Sequence, residues 1–451
     1  MGRSSLLGGN MRNSLNLGFK RKVGVFAAAG LMLTTGLVAV TAGSAGASSK
    51  VTLTFWENYG TQQTLLGTAK NLISAYEKLH PNVTIKMVSQ PADNYFAQLQ
   101  TAAIAGSGPD LAVMWTGLYL PPYANLLANL RPYFPKSEIA NIEGLKWGAD
   151  DFNANSAILA APVDAQFYMG FYNKKDFAKA GITQVPRDWS QLLNACTALK
   201  KVGITPMAYG TGSASYSGEF NPWYSFSYMM MALPPTQWHS LYSGQIPWTS
   251  SVVQSQLSMW HEMYTKGCVN SDALTDRNNV GQFVDGKAAM APDDGSWDVA
   301  QYTQQMGSNV GAMVPPFSTK PISSVVFFPG DAISVLKGSK NVPAAAAFLA
   351  FMDSPAGAVQ IAKAGLIPDI TGYHSTNALN DEMLAFVSKD HYTVYPMLDN
   401  VTQPNIVNVG YQALPAVLVG QASVSQGTKE LAAQHNQLPA NQRGSYGEYF
   451  K

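Results

Sequence analysis

Residues 51–59 read VTLTFWENY and begin the stretch that decides the fold. The first five of them alternate apolar and polar side chains, which is typical of a strand, and apolar residues then recur at helical spacing over 65–79. The sequence VTIKM at 83–87 alternates again, a second helical pattern covers 95–103, and PDLAVM follows at 109–114. This β-α-β-α-β order predicts a parallel sheet with right-handed crossovers.

Aromatic and polar residues follow two strands of this predicted sheet. Trp56, Glu57, Asn58 and Tyr59 come directly after the first strand, and Trp115 follows the third. Ligands of open parallel sheets bind beyond the carboxyl ends of the strands. We therefore predict that these residues face a binding site; the alternative is that the tryptophans belong to the core.

The length of 451 residues exceeds that of one ordinary domain, so we expect two lobes. Apolar residues make up 46% of the chain and charged residues only 13%, about half of the roughly 25% usual for soluble domains. This composition excludes a disordered polyelectrolyte. Helical and strand-like patterns continue to the end of the chain without a linker, which predicts that the two lobes interleave.

The N-terminal segment has the pattern of an export signal. The basic run at 20–22 precedes an apolar run over 23–40, and Ala45-Gly46-Ala47 provides a small-residue cleavage site before Ser48. We predict a signal peptide over residues 1–47; the alternative is a retained membrane anchor. The mature chain has no cysteine near its new N-terminus, so we expect a soluble periplasmic or extracellular protein that is not lipidated through a thiol there.

The charge balance argues against nucleic-acid binding. Five of the 29 basic residues and none of the 28 acidic residues fall within residues 1–47, so the remainder is net acidic. A nucleic-acid-binding domain is expected to be basic.

Two sequence features are local and specific. Asp188 and Gln191 have the spacing of a capping box for a helix from Trp189 to Lys201. Cys196 and Cys268 could form a disulfide in an oxidising compartment, or they could be two buried thiols.

Catalytic motifs are absent. The sequence contains no G-x-S-x-G elbow, no phosphate-binding loop, no H-E-x-x-H, and no pair of histidines at i, i+4. A glycoside hydrolase needs only two suitably placed carboxylates, so a secreted carbohydrate-active enzyme remains the alternative function.

Several motifs resemble those of bacterial extracellular solute-binding proteins of the sugar-importing ABC class, which are maltose-binding-protein-like. They occur in the order typical of that family and cover most of the mature chain. They are the GPDL at 108–111, the APV at 161–163, the YNKKDFAKAG at 172–181, the PRDW at 186–189, the FVDGKAAM at 283–290, the GSW at 295–297, the segment 337–352 and the GLIP at 365–368.

The resemblance implies an α/β, two-lobed periplasmic-binding-protein-like fold with interleaved lobes and a hinged ligand cleft. Lobe one would comprise residues 48–163 plus 313–353, and lobe two residues 164–312 plus 354–451. The chain would cross between the lobes near 161–164, near 311–315 and near 353–355.

The resemblance also adds residues to the predicted site. Gln166 occupies a position where relatives often carry an acidic sugar ligand. Where the family usually has Gly-Gly before its next strand, this chain has Phe328-Pro329-Gly330-Asp331. The full set of predicted sugar-binding residues is Trp56, Glu57, Asn58, Tyr59, Trp115, Asp164, Gln166, Asn221, Trp223, Tyr224, Asp294, Gly295, Trp297, Gly330, Asp331 and Tyr411.

The resemblance implies a binding protein that captures a sugar in the cleft and delivers it to a membrane permease with a separate cytoplasmic ATPase. Sugar rings present apolar faces to aromatic side chains and hydroxyls to polar ones, and the predicted site offers both. We expect no enzymatic activity, no cofactor, no metal and no nucleic-acid partner, and we expect a monomer.

Overall fold

The computed structural model describes residues 49–60, 62–91, 94–210, 222–242, 245–276 and 278–439, without the side chains of Pro235, Thr236, His239 and Asp293. The predicted signal peptide, residues 1–47, lies outside these ranges.

The described strands are numbered in chain order. They are β1 (Val51–Glu57), β2 (Val83–Ser89), β3 (Leu111–Trp115), β4 (Ala161–Pro162), β5 (Gln166–Asn173), β6 (Thr205–Met207), β7 (Ala288–Gly295), β8 (Val310–Met313), β9 (Ser324–Phe328), β10 (Asp331–Val335) and β11 (Thr393–Tyr395).

The described α-helices are numbered in the same way. They are α1 (Gln63–Leu79), α2 (Tyr95–Ile104), α3 (Lys136–Ile139), α4 (Lys174–Lys179), α5 (Trp189–Lys201), α6 (Pro222–Met230), α7 (Pro235–Tyr242), α8 (Ser251–Thr265), α9 (Asn279–Val284), α10 (Val299–Met306), α11 (Val342–Met352), α12 (Pro355–Lys363), α13 (Ala378–Ser388), α14 (Pro404–Leu418) and α15 (Val424–Gln437).

The first sheet has the strand order β2-β1-β3-β10-β4. β1 runs parallel to both β2 and β3, and α1 and α2 form the crossovers, so the predicted β-α-β-α-β unit is confirmed. β10 lies between β3 and β4 and runs antiparallel to both. The carboxyl ends of β1 and β3 therefore lie at the same edge of the sheet.

The second sheet has the strand order β11-β9-β5-β7-β6, and β8 also pairs with β5. β5 is the central strand and runs antiparallel to β7, β8 and β9. It follows β4, the edge strand of the first sheet, after three residues, so the chain passes between the sheets at Val163–Ala165. The first crossing was predicted near 161–164.

The two later crossings differ from the predicted ones. β9 pairs with β5 in the second sheet, so the chain returns to the first sheet at 329–330 and not near 313. Helix α12 packs against α1 and α11, so the last passage follows α12 and not residue 353. Both predicted positions were what the family resemblance implied, whereas strand pairing and helix packing decide which sheet a segment joins.

The buried apolar residues form two clusters: the larger includes the core under the first sheet and continues into the helices of the second lobe, and the smaller lies around β5, β9, α10 and α13. Phe55 and Leu72 are fully buried under the first sheet, where Tyr76 meets Phe348 of α11 edge to face at 5.3 Å between ring centroids. Such burial supplies most of the stabilisation of a fold of this kind. Within the described ranges, no single helix is long and apolar enough to cross a bilayer; α11 and α12 meet both criteria only as a pair, bent by 64°.

The structure joins Cys196 to Cys268 by a disulfide, with their Cα atoms 5.3 Å apart. Cys196 lies in α5 and Cys268 follows α8, and both are buried. The bond therefore ties two helices of the second lobe together, and it decides between the two alternatives that the sequence left open.

Candidate functional site

A cavity lies where the facing edges of the two sheets meet; we call it the inner cavity. Its lining consists of aromatic, amide and carboxyl side chains together with one glycine. The lining residues are Gln62, Trp115, Gln166, Tyr168, Tyr224, Trp297, Gly330, Asp331, Asp399, Asn400 and Tyr411.

The first sheet contributes Trp115 and Asp331 through strand register. Trp115 is the last residue of β3 and Asp331 the first of β10, and the two are direct antiparallel partners. The preceding Gly330 accepts a hydrogen bond from the backbone N–H of Thr116 at 3.0 Å through its carbonyl. The wall on this side is therefore held by the backbone of the sheet and not by a free loop.

Gln166 is the centre of a hydrogen-bonded group that we call the polar floor of the cavity; its other members are Asp164, Asp331 and Tyr168. Its Nε2 donates to Oδ2 of Asp331 at 2.9 Å and to Oδ1 of Asp164 at 3.2 Å, while its Oε1 accepts a hydrogen bond from the Tyr168 hydroxyl at 3.0 Å. All four residues are buried. Asp164 lies in the first passage between the sheets, and Asp331 directly follows the second. Because the Gln166 amide donates to both carboxyls, the network links the site to two of the segments that connect the lobes.

Burial is the main cause of the pKa shifts of the carboxyl groups in the polar floor. It raises the pKa of Asp331, and hydrogen bonds from Gln166 and from the indole of Trp115 oppose this rise. Burial also raises the pKa of Asp164, and the charge of Asp331 raises it further. Two carboxyls that share one amide and lie out of water favour holding a proton between them, because ionising both places like charges in a poorly solvated site.

Aromatic rings form the wall on the second sheet. Trp297 follows β7 and lies 4.9 Å from the Tyr168 ring and 5.7 Å from the Tyr224 ring, measured between centroids. Gly295 makes room for this indole, since a Cβ at that position would lie 2.1 Å from Cζ3 of Trp297. The three rings form an apolar wall of the cavity.

A third group of residues closes the side of the cavity. Asp399 Oδ2 lies 3.5 Å from the hydroxyls of both Tyr119 and Tyr411, which donate to it. Asn400 donates through Nδ2 to the carbonyl of Thr116 at 3.0 Å. Thr116 and Tyr119 follow β3 of the first sheet, so the two lobes are in direct contact here.

The inner cavity has a volume of about 40 Å³. A space of that size holds about three water molecules and no sugar ring.

The structure brings together seven of the predicted site residues. Those that line the inner cavity are Trp115, Gln166, Tyr224, Trp297, Gly330, Asp331 and Tyr411. Asp164 lies behind Gln166 and is fully buried. Of the predicted strand-end positions, only Trp115 therefore meets the second-wall positions Tyr224 and Trp297, which come from segments far apart in the chain.

Other predicted residues do not line the cavity, and local packing explains why. Glu57 is buried, where its carboxylate accepts hydrogen bonds from the backbone N–H of Tyr59 and from the Ser89 hydroxyl. Its neighbours Asn58 and Tyr59 are buried as well, and neither lines the cavity. Trp56 is partly buried against the core of the first lobe.

Three further predicted residues come from the segment predicted as lobe two. Trp223 is fully buried, and its Nε1 donates to the carbonyl of Val407 in α14 at 3.0 Å, so it is a packing residue. Asp294 is buried beside Gly295, whose N–H donates to Oδ1 of Asp294 at 2.7 Å. Asn221 lies outside the described residues.

The sequence interpretation missed Gln62, Tyr168, Asp399 and Asn400, which all line the inner cavity. Tyr168 was detectable, because it lies two residues after Gln166 in the same strand and therefore on the same face. The other three have no such local signal. Among the described residues, no group of three His, Cys, Asp or Glu side chains could hold a metal ion.

Comparison with known proteins places the chain in a family. The sequence profile of bacterial extracellular solute-binding proteins matches residues 60–359. The melibiose/raffinose/stachyose-binding protein MelE of Bacillus subtilis is 22% identical over 410 residues, which cover 85% of this chain and 89% of MelE. The multiple sugar-binding protein of Streptococcus mutans is 22% identical over 345 residues, covering 74% of this chain and 78% of that protein.

Solved structures show the same fold. A chitin oligosaccharide binding protein superposes with a TM-score of 0.73 at 19% identity, and the match covers 86% of this chain and 98% of that one. The likeness extends over both sheets, which agrees with the predicted two-lobed α/β architecture.

Proposed function

Because the chain belongs to the family of bacterial extracellular solute-binding proteins, we propose that it captures a neutral sugar between its two lobes and delivers it to the membrane permease of an ABC importer. The ATPase of such an importer is a separate cytoplasmic chain, and this protein acts as a monomer. The sugar-binding relatives MelE and the multiple sugar-binding protein support the ligand class.

The main support for this proposal is the set of side chains that line the inner cavity. Trp115 faces it from the first lobe and Trp297 from the second, while Gln166 and Asn400 supply amide groups. Two aromatic walls bind the apolar faces of a ring, and amide and carboxyl groups bind its hydroxyls. The contact between Asn400 and Thr116 supports closure around the ligand, since it joins the lobes at the edge of the cavity.

A thermal-shift screen tests the ligand class. We expect neutral mono- and oligosaccharides to raise the melting temperature with increasing concentration, because a ligand that binds only the folded state stabilises it. A shift with a peptide, a polyamine or a metal ion, and none with any sugar, would overturn the assignment.

Substitution of a wall residue tests the site. Trp297→Ala removes a ring of the second wall, and we expect it to weaken sugar binding by on the order of one to several kcal/mol. The matched control is Trp189→Ala, a similarly buried tryptophan that packs against Phe317 and whose Nε1 donates to Glu262. Isothermal titration calorimetry should show the loss only for Trp297→Ala.

The protein is proposed to bind sugar without converting it. Incubation of a glycan with substoichiometric protein, followed by chromatography, should return the glycan unchanged. Turnover under these conditions would favour the secreted carbohydrate-active enzyme instead.

Export is proposed to remove residues 1–47. N-terminal sequencing of the secreted protein should then begin at Ser48, with no lipid attached through an N-terminal cysteine. A mature protein that retains the apolar run over 23–40 would contradict this processing and favour a membrane anchor.

A further inference from the structure

A second and larger cavity opens beside the inner cavity; we call it the outer groove. It has a volume of about 610 Å³ and lies between residues 94–123 of the first lobe and 404–412 of the second. Tyr411 lines both cavities, and Tyr119, which lines the outer groove, shares the Asp399 carboxylate with Tyr411. The outer groove therefore adjoins the proposed sugar site.

The aromatic wall of the first lobe runs from one cavity into the other. Trp115, in the inner cavity, contacts Phe96 and Tyr119 in the outer groove at 4.7 and 4.9 Å between ring centroids. Phe96 in turn contacts Tyr123 at 6.1 Å. A row of rings of this kind offers successive stacking surfaces to successive sugar rings.

The polar side chains that line the outer groove are amides and tyrosines. Asn94 and Gln100 line it from the first lobe, and Asn408 and Gln412 line it from helix α14. Each amide both donates and accepts hydrogen bonds, which suits hydroxyl groups. Within the described ranges, no charged side chain lines the groove, so the chemistry favours a neutral ligand.

The outer groove is much larger than the inner cavity, and this difference in volume bears on the length of the ligand. A volume of several hundred Å³ is that of a site for a drug-sized molecule, which corresponds to about two sugar rings. The inner cavity is enclosed by both lobes and offers one pair of aromatic walls. One terminal ring thus fits the inner cavity once the lobes separate, and the rest of a chain extends into the outer groove.

We propose that the outer groove binds the second and later rings of a neutral oligosaccharide, so that the protein prefers chains of two or more rings to single sugars. This inference rests on the proposed function, because it assumes that a sugar occupies the inner cavity. The groove is formed by both lobes, so each additional ring also contributes contacts that exist only when the lobes are close.

The test compares affinity with chain length. Isothermal titration calorimetry is performed with galactose, melibiose, raffinose and stachyose, with glucose, maltose and maltotriose, and with N-acetylglucosamine and its di- and trisaccharide. The variant is Asn408→Ala with Gln412→Ala, two exposed positions on α14. The matched control is Gln304→Ala with Gln305→Ala, two exposed amides of α10 that do not line either cavity.

In the series that binds, we expect the wild-type affinity to rise at least tenfold from the single sugar to the longer chains. The groove variant should lose about tenfold in affinity for the longer chains, the value of two hydrogen bonds, and bind the single sugar as the wild type does. The control variant should match the wild type throughout.

Equal wild-type affinity for single sugars and longer chains would overturn the inference while leaving the proposed function intact. So would a groove variant that keeps full affinity for the longer chains, or one that weakens both ligands equally. If no sugar of any series binds, the proposed function itself fails, and this inference fails with it.

Discussion

Gly330 lies where a side chain would collide with the polar floor of the inner cavity. A Cβ at this position would be 2.3 Å from Oε1 of Gln166 and 2.5 Å from the Tyr168 hydroxyl. We expect Gly330→Ala to displace both groups, to lower the free energy of unfolding by about 1–3 kcal/mol as overpacking does, and to weaken sugar binding. Chemical denaturation and calorimetry measure the two effects.

The control for this substitution is Gly338→Ala, because a Cβ there would meet no atom within 4 Å. It should leave both stability and affinity close to wild type. If Gly330→Ala behaved like the control, Gln166 and Tyr168 would not be fixed as the structure has them.

Asp164 should make stability depend on pH. Burial raises its pKa in the folded protein above the value of about 3.9 usual for an unfolded chain. The folded state then binds its proton more tightly, so the contribution of Asp164 to the free energy of unfolding falls as pH rises from about 4 to the folded pKa, and is constant above it.

Asp164→Asn removes this titration and keeps an oxygen that accepts from Gln166. Relative to wild type, we expect the variant to gain stability as pH rises through that window, by at most about 1.4 kcal/mol per pH unit. Urea denaturation at a series of pH values measures the difference, with Asp381→Asn on the exposed side of α13 as the control. Parallel pH profiles for wild type and Asp164→Asn would contradict the raised pKa.

The bounds and the N-terminal cap of helix α5 could be predicted from its own residues and their near neighbours. The helix runs from Trp189 to Lys201 as predicted, and Asp188 Oδ1 accepts a hydrogen bond from the Gln191 N–H at 2.9 Å. The amide of Gln191 reaches back to the N–H of Arg187, one residue earlier than in the usual capping box. The cap needs only near neighbours, and for that reason sequence spacing predicted it.

The disulfide between α5 and the end of α8 should stabilise the second lobe. It joins residues 72 positions apart, and closing a loop of that length restricts the unfolded chain by about 4 kcal/mol. We expect Cys196→Ala with Cys268→Ala to lose stability of this order in denaturant titrations, while sugar affinity stays the same because neither cysteine lines a cavity.

Wild-type protein treated with a reducing agent provides the comparison for this variant. It should lose stability by a similar amount, and a thiol assay of the untreated, denatured protein should find no free thiol. Two free thiols in that assay, or a reduced protein as stable as the oxidised one, would rule out the bond.

Strand β9 is an element whose own residues do not determine which sheet it joins. Its residues Ser324–Phe328 form a strand in either lobe by their own preferences, and the predicted boundary at 313 put them in lobe one. In the structure Gln166 pairs with Phe328, and the rings of Phe167 and Phe327 stack at 4.1 Å. Contacts with a distant strand therefore decide which sheet β9 joins.

The whole molecule should contract when it binds sugar. Closure needs contacts that exist only when both walls touch one ligand, so the ligand favours the closed form by that difference in binding energy. Small-angle scattering should give a smaller radius of gyration with saturating sugar for the wild type and for Trp189→Ala.

Removal of either wall should abolish the contraction. Trp115→Ala removes the wall of the first lobe and Trp297→Ala that of the second, and we expect neither variant to contract even at sugar concentrations that saturate it. If Trp115→Ala contracted normally under those conditions, Trp115 would be a core residue and not a contact for the ligand.

The sequence by itself determined the β-α-β-α-β order over residues 51–114, helix α5 with its cap, and the combination of aromatic and amide residues that a sugar site requires. These features depend on periodicity and on neighbours within a few residues, which the linear chain contains. Only the tertiary structure decided the passages between the sheets, the pairing of Cys196 with Cys268, and the presence of Asn400 in the site. Asn400 meets Thr116 across 284 positions of the chain, and such a contact follows from how whole lobes pack, because no local pattern of residues encodes it.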